Sequence, residues 1–487
     1  MPRATRASRT TASSAAPGPA VPTHPLLAKR RAGVLLHLTS LPSRFGAGDL
    51  GPEAFAFADW LAAAGVSVWQ MLPVGPVGFG DSPYSSPSSF AIEPTFLALE
   101  PLVEAGLLAK RDLRAPARLA KGDCDFAASR ALRMPLYAKA AAAFRAAGGE
   151  KSREFRGFVR DTAWLDAWLD FVAGDDADLR ATHAFVQFEL ARRWAAFRLH
   201  CASRGVALVG DVPIFVTAES ADVRANPKLF RLDAKGRPEV LTGVPPDGFS
   251  ADGQLWGHPH YAWPAHRRER FAWWIARIAC AAERFDLVRI DHFIGFHHAY
   301  EVPAGARNAR KGAWRRAPGR ELLAAMAARF GALPLIAEDL GALTPEVEAL
   351  RDDFGLAGMR IVQNAFWSGV SGDLPHNHPR RAVAYTGTHD NETSVQWWAN
   401  RPKAERARFR AYAGGGPVHE AIARLTLASP AALAVLPMQD LLGLGAAARM
   451  NLPGTATGNW RWRMAPRAAT AALAKRLRAM VEATGRL

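Results

Sequence analysis

"FDLVRIDHF", residues 285–293, is the stretch whose reading decides the fold. It begins as an apolar, strand-forming run and ends in Arg289, Asp291 and His292. Charge at the end of a buried strand is costly unless it is paired or needed there. The run also lacks the alternation of a half-solvated strand, which suits a strand covered on both faces in a parallel sheet. Seven further runs share this character. They are "GVLLHLTSL" (33–41), "VSVWQMLPV" (66–74), "GVALVGDVPIF" (205–215), "LPLIAEDLG" (333–341), "GMRIVQNAF" (358–366), "AVAYTGTHD" (382–390) and "LAVLPMQDLLG" (433–443). Ala-rich helical patterns follow several of them, such as "PEAFAFADWLAAAG" (52–65) and "PEVEALRDDFG" (345–355). Strand then helix, repeated about eight times, predicts an α/β fold, a (β/α)₈ TIM barrel. No glycine fingerprint follows the first run, which counts against a doubly wound sheet.

The runs are unevenly spaced. About 130 residues part the second from the third, and about 70 part the third from the fourth. Simple crossovers are shorter. Inserted subdomains are therefore expected in the loops after strands 2 and 3, at about 75–204 and 216–284, within a catalytic region spanning 31–487. Residues 1–30 are rich in Ala, Ser, Thr, Pro and Arg, contain no acid, and read as a disordered N-terminal extension.

Composition narrows the class. A 487-residue chain with 49% hydrophobic and 22% charged residues is an ordinary globular sequence, and no apolar run approaches a membrane span. Cys124, Cys201 and Cys280 are far apart and odd in number, matching neither a disulfide framework nor a metal spacing. A reduced, cytoplasmic protein is the expectation. The net charge of +16 lies largely in the N-terminal segment, in "RPKAERARFR" (401–410) and at the C-terminus. Without interleaved aromatics those stretches read as solvated helix faces, so no specific nucleic-acid partner is expected.

Polar residues gather where the strand runs end: Asp211, Arg289 with Asp291 and His292, Glu338 with Asp339, His389 with Asp390, and Gln439 with Asp440. In a TIM barrel that is the face on which active sites are built. Arg289 and Asp291 are two apart, so their side chains share a direction on a strand. The arginine would lower the aspartate's pKa and keep it ionised, although a structural ion pair explains the same two residues equally well. Glu338 lies 47 residues beyond Asp291, one strand later. Adjacent strand ends bring two carboxylates near the ~5–5.5 Å separation of a retaining glycosidase. Asp339 should point the other way. Asp390 is either a sugar ligand or a helix N-cap, with Asn391 and Thr393 competing for the cap. Aromatics in loop contexts, including Tyr84, Phe249, Trp256, Trp460 and Trp462, suit sugar stacking, though loop tryptophans more often pack beneath their own loop. "GPVGFGD" (75–81) lacks the Lys-Ser/Thr of a phosphate cradle. His297-His298 and "HNH" (376–378) lack metal-ligand spacing, and no Ser sits in a nucleophile elbow.

The segments "GVLLHLTSLPS", "DSPYSSPSSFA", "GDVPIFV", "GVPPDGFS", "GQLWGHP", "RIDHF", "IAEDLG", "LPHN", "TGTHDNET" and "RMNLPGT..GNW" resemble, in order, glycoside hydrolase family seventy-seven. These are the amylomaltases, or 4-α-glucanotransferases, of the α-amylase clan. The resemblance spans residues 32–463. It implies Asp291 as nucleophile, Glu338 as general acid and then base, and Asp390 as the carboxylate that grips the 2- and 3-hydroxyls. Arg289, His389, Tyr84 and Asp211 would line the donor glucose, while Trp256, Gln254 and Asn451 would shape the acceptor side. Phe249 belongs to the loop over the cleft. The implied reaction moves a 1,4-α-glucan segment to the 4-hydroxyl of another glucan or glucose, with no metal or organic cofactor. Gly248, His258, Ile294, Glu392, Glu219 and Arg224 depart from the family's pattern. They bear on acceptor preference and on the balance of transfer over hydrolysis. The rival readings are a hydrolytic α-glucanase using the same carboxylates and a noncatalytic glucan-binding protein.

Overall fold

A computed structural model describes residues 21–246, 250–341, 343–366 and 372–487. Eight parallel strands form its centre: β1 (Arg31–Leu35), β2 (Val68–Gln70), β3 (Ala207–Val212), β4 (Leu287–Ile290), β5 (Leu335–Ala337), β6 (Gly358–Ile361), β7 (Ala382–Tyr385) and β8 (Leu433–Pro437). Each neighbours the next, and β8 returns to β1. Between β5 and β6 the ring is joined by a single parallel bridge, Ile336 to Ala357. The expected TIM barrel is the observed fold; seven of the eight runs contain a whole barrel strand, and the run 33–41 overlaps the end of β1.

The reason is visible in the burial. Every residue of β8 is buried, as is every residue of β2, β4, β5 and β7. Strands walled by the barrel interior on one side and helices on the other have no solvent face to make polar. Gly210 in β3 shows how tight that packing is: a Cβ there would stand 2.3 Å from Phe285 Cδ2. The helices begin where their sequences say. Pro52 opens Pro52–Ala63 at a first-turn position that needs no N–H, and Pro345 opens Pro345–Asp353 in the same way.

Between β2 and β3 lie the helices Phe126–Ala146, Arg153–Asp161, Leu165–Ala173 and Ala177–Ser203. They carry a satellite apolar cluster that includes Phe155, Trp168, Leu169 and Phe188. Between β3 and β4, Val240–Val244 and Gln254–Pro259 pair antiparallel. Two strands from the β4–β5 connection, His298–Pro303 and Ala313–Arg316, complete a four-stranded antiparallel sheet. This second contribution is absent from the sequence reading, because "HAYEVP" and "AWRR" are short, and the latter is exposed throughout.

The extension expected over residues 1–30 is shorter than its composition suggests. Residues 1–20 lie outside the described residues. From residue 21 the chain joins the fold: Leu27 is buried, and Arg30 donates to the carbonyls of Thr484, Leu427 and Ser429 at 2.6–3.0 Å. Free carbonyls at the bottom of the barrel give that arginine partners that composition does not reveal.

Candidate active site

The site starts from strand register. Asp211 on β3 is the direct partner of Arg289 on β4, and Ile290 on β4 is the partner of Ala337 on β5. One residue further, Asp291 and Glu338 leave their strands side by side. The Asp291 N–H still donates to Val212 O at 3.0 Å, and the Glu338 N–H to Ile290 O at 3.1 Å. Neighbouring strands stand about 4.8 Å apart. The two carboxyl groups therefore leave adjacent strand ends, the arrangement from which a retaining pair can be built.

Arg289 sits among them, only 3% exposed. Its Nη1 lies 2.9 and 2.7 Å from the two oxygens of Asp211 and 3.1 Å from Asp291 Oδ1, while Nη2 is 4.0 Å from Glu338 Oε2. Burial works against the guanidinium charge, but Asp211, Tyr84, Asp291 and Glu338 more than offset it, leaving the Arg289 pKa well above its ordinary value. One cation thus faces three acids, Asp211 fully buried and Asp291 and Glu338 partly so. Burial pushes Asp211 up to about 7 and Glu338 up to about 8, against the pull of Arg289 and with a further push from the charge of Asp291. Asp291 is raised as well, by burial first and by Asp390 in addition. This corrects the expectation that Arg289 sets Asp291 below the usual carboxylate range. Arg289 does draw it down, but the cation's closest partner is Asp211, and burial outweighs what remains. Solvent reaches 29% of the Asp291 side chain, against 12% for Glu338 and none of Asp211. The more open setting of Asp291 favours its charged form, and the deeper burial of Glu338 favours its protonated form.

Glu338 is also gripped from the backbone. It accepts the His292 N–H at 2.6 Å on Oε2 and the Leu340 N–H at 3.2 Å on Oε1. Asp339 points away, as expected: it pairs with Arg351 and accepts the Met359 N–H at 2.6 Å, an internal tie between strands.

The opposite wall comes from the loops after β2, β7 and β8. Tyr84 donates its O–H to Asp211 Oδ2 at 2.8 Å, and its oxygen lies 2.9 Å from His389 Nε2. The hydroxyl has one proton, so His389 Nε2 is the donor in the second contact. The two rings stack at 5.3 Å, with Trp460 tilted against both. Burial lowers His389 to about 4 and keeps it neutral. His389 Nε2 is 3.3 Å from Asp390 Oδ2, and Asn451 donates to Asp390 Oδ1 at 2.6 Å. The N-cap of the helix Ser394–Asn400 is Thr393, whose hydroxyl accepts the Gln396 N–H. Asp390 is therefore free of capping duty, and its side chain stays 38% exposed beside His389 and Asn451.

Trp256 stands on the antiparallel sheet, edge-on to His292 at 4.8 Å, with its Nε1 donating to Gln254 Oε1 at 3.3 Å. Asn451, assigned by resemblance to the acceptor side, is placed on Asp390. Phe249 and Gly248 lie outside the described residues. His258 and Ile294 are within them, on the antiparallel sheet and in the turn after Asp291 respectively. Asp440 and Gln439 are scaffold: Asp440 accepts the Ser394 N–H at 2.6 Å, and Gln439 donates to Ala448 O at 3.3 Å. Cavities of about 440 and 520 Å³ are lined, respectively, by His37, His389 and Arg449 and by Tyr84, Asp211 and Arg277. Asp291 and Glu338 line neither.

Two contributors were not singled out from the sequence. Arg449 donates to Asp390 O and Asn451 O, both at 2.8 Å, fixing one loop to the other. Its signal was adjacency to Asn451 in "RMNLPGT". Tyr385 donates to Gln70 Oε1 at 2.9 Å in the barrel interior. An apolar strand run gives no sign of such a pair. Among the described residues, no helix is long and apolar enough to cross a membrane.

Comparison with known proteins follows this geometry. A family model described as 4-alpha-glucanotransferase matches residues 36–181 and 173–469. A 4-alpha-glucanotransferase of Thermus thermophilus is 42% identical over 500 residues, covering 94% of this chain and 99% of its own. One from Synechocystis is 42% identical over 479 residues, covering 91% and 95%. Among solved structures, an amylomaltase from Streptococcus agalactiae in complex with acarbose superposes with a TM-score of 0.89 at 33% identity, covering 94% of this chain and all of that one.

Proposed function

Since the chain belongs to the 4-alpha-glucanotransferase family, we propose that its paired strand-end acids carry out that family's transfer by a retaining double displacement. The protein is a glycosyltransferase-type enzyme that moves a segment of a 1,4-α-glucan to the 4-hydroxyl of another glucan or glucose. The observation that carries the residue assignment is the in-register exit of Asp291 and Glu338 around Arg289.

In the first half, the Asp291 carboxylate attacks the anomeric carbon while Glu338 protonates the departing 4-oxygen. The glycosidic bond breaks and a glycosyl ester forms on Asp291. Esterification removes the negative charge beside Glu338, which lowers its proton affinity and leaves it a carboxylate. In the second half, Glu338 takes the proton of an acceptor 4-hydroxyl, whose oxygen attacks the anomeric carbon and expels Asp291. Two inversions give net retention.

Asp390, oriented by Asn451, would accept hydrogen bonds from the 2- and 3-hydroxyls of the reacting sugar. Tyr84, Asp211, Arg289 and His389 would line the donor glucose. Trp256, Gln254 and Asn451 would shape the acceptor side, and Phe249 would belong to the loop over the cleft. Transfer outcompetes hydrolysis where an acceptor hydroxyl fills that side better than water does. Donors are proposed to be maltooligosaccharides and longer 1,4-α-glucans, acceptors glucose or glucan, and the location cytoplasmic. Residues 31–487 are read as one catalytic unit with insertions at about 75–204 and 216–284.

Maltotriose tests the reading. Transfer yields glucose plus a ladder of longer maltodextrins at constant reducing ends. Net growth of reducing ends without longer products would instead mark a hydrolase.

A further inference from the structure

The residue after the proposed nucleophile adopts an unusual backbone. His292 has φ +49°, in the left-handed region that non-glycine residues seldom occupy. Such strain persists only where the surroundings impose it. Here the conformation has a visible result: it aims the His292 N–H at Glu338 Oε2, 2.6 Å away. The imidazole meanwhile lies edge-on to Trp256, with ring centroids 4.8 Å apart and planes at 82°. Gly295 makes room for it, since a Cβ there would stand 3.3 Å from His292 Cδ2 and 2.7 Å from Ile214 Cδ1. His292 Nε2 is buried without a hydrogen-bond partner among the described residues, so packing rather than a hydrogen bond fixes the ring.

We infer that His292 is a positioning residue that joins the acid/base carboxylate to the acceptor wall: its backbone N–H holds Glu338, and its ring ties that N–H to Trp256. The inference rests on the proposed roles of Glu338 and Trp256. Its chemistry is simple. An N–H donated to a carboxylate favours the charged form. A sugar stacking on Trp256 would press on the ring whose backbone supplies that bond, so acceptor occupancy and the readiness of Glu338 to serve as base are mechanically linked. The other charged or titratable groups facing Glu338 are Arg289 on β4, Asp291 just after it and Tyr385 on β7.

Three substitutions separate the backbone from the ring. His292→Gly keeps the left-handed turn at no steric cost and removes the ring. His292→Val forces a β-branched residue where it fits worst, and His292→Ala does so more mildly if the valine variant does not fold. For His292→Val, turning the backbone N–H away from Glu338 should move the alkaline limb of the kcat/KM profile on maltotriose upward by about one pH unit. His292→Ala should move it the same way by less. The glycine variant should keep the parental limb but raise the KM for added glucose acceptor several-fold, with the donor KM unchanged. An unmoved limb in folded valine and alanine variants, or an equal shift in the glycine variant, overturns the backbone link. A parental acceptor KM in the glycine variant overturns the ring link. Failure of the underlying site reading looks different: Glu338→Gln would then retain parental turnover.

Discussion

Two arginines are buried at opposite ends of the same barrel, and they live by different rules. At the C-terminal mouth, Arg289 faces the acids Asp211, Asp291 and Glu338 and is held well above its ordinary pKa despite burial. At the bottom, Arg486 is fully buried and pairs with no carboxylate among the described residues. It donates to the carbonyls of Leu427, Arg31, Ser429 and Ala431 at 2.6–2.9 Å, and burial, together with repulsion from Arg30, lowers its pKa. The lower arginine satisfies backbone that the ends of strands and helices leave open. The upper one holds together a set of acids that would otherwise repel one another. One end spends charge on stability; the other concentrates it where charge will move.

Removing each arginine should break this contrast cleanly. Arg289→Met leaves the buried Asp211 and the partly buried Asp291 and Glu338 without their cation. Stripping one partner from a buried pair costs about 3–5 kcal/mol, and the lost electrostatic support should lower kcat by about 10²–10³-fold. Chemical denaturation and maltotriose kinetics read the two effects. Arg486→Met should lower stability by about 2 kcal/mol through lost charge-assisted hydrogen bonds, with kcat unchanged below the unfolding transition. Equal activity losses in both variants would erase the distinction.

Tyr84→Phe sharpens the comparison from within the mouth. It deletes the hydroxyl between Asp211 and His389, and kcat/KM should fall about tenfold, worth about 1.4 kcal/mol. Thermal stability should move little.

The smallest perturbation is pH. Glu338 works as an acid only while protonated, so kcat/KM should decline as pH rises through about 8. The same shift enters stability. The folded-state pKa lies above the unfolded value, so the contribution is complete below about pH 4.5 and is lost as pH rises through about 8. A limb near pH 4.5 would mean that the site leaves Glu338 unperturbed.

Much of this was legible in the chain. Buried strands announce themselves as unalternating apolar runs, and in the runs holding Asp291 and Glu338 the acid follows the last ladder residue. Asp291 and Glu338 could be paired from strand order alone. Other features leave no one-dimensional trace. Asp339 and Asp440 resemble site residues in sequence, yet they tie loops and strands together, because their partners Arg351, Met359 and Ser394 come from other parts of the chain. The net rise of the Asp291 pKa depends on burial first and then on how one cation is shared, which spacing does not encode. The antiparallel sheet is assembled from two separate connections, so neither half shows the pattern of the whole.

The most direct trial of the central claim uses Glu338→Gln with α-maltosyl fluoride, a donor whose leaving group needs no acid, followed by peptide mass spectrometry. Glycosylation should proceed and stall, leaving a maltosyl adduct on the peptide that carries Asp291. An adduct on any other residue, or continued turnover with Asp291 unmodified, would contradict the assignment.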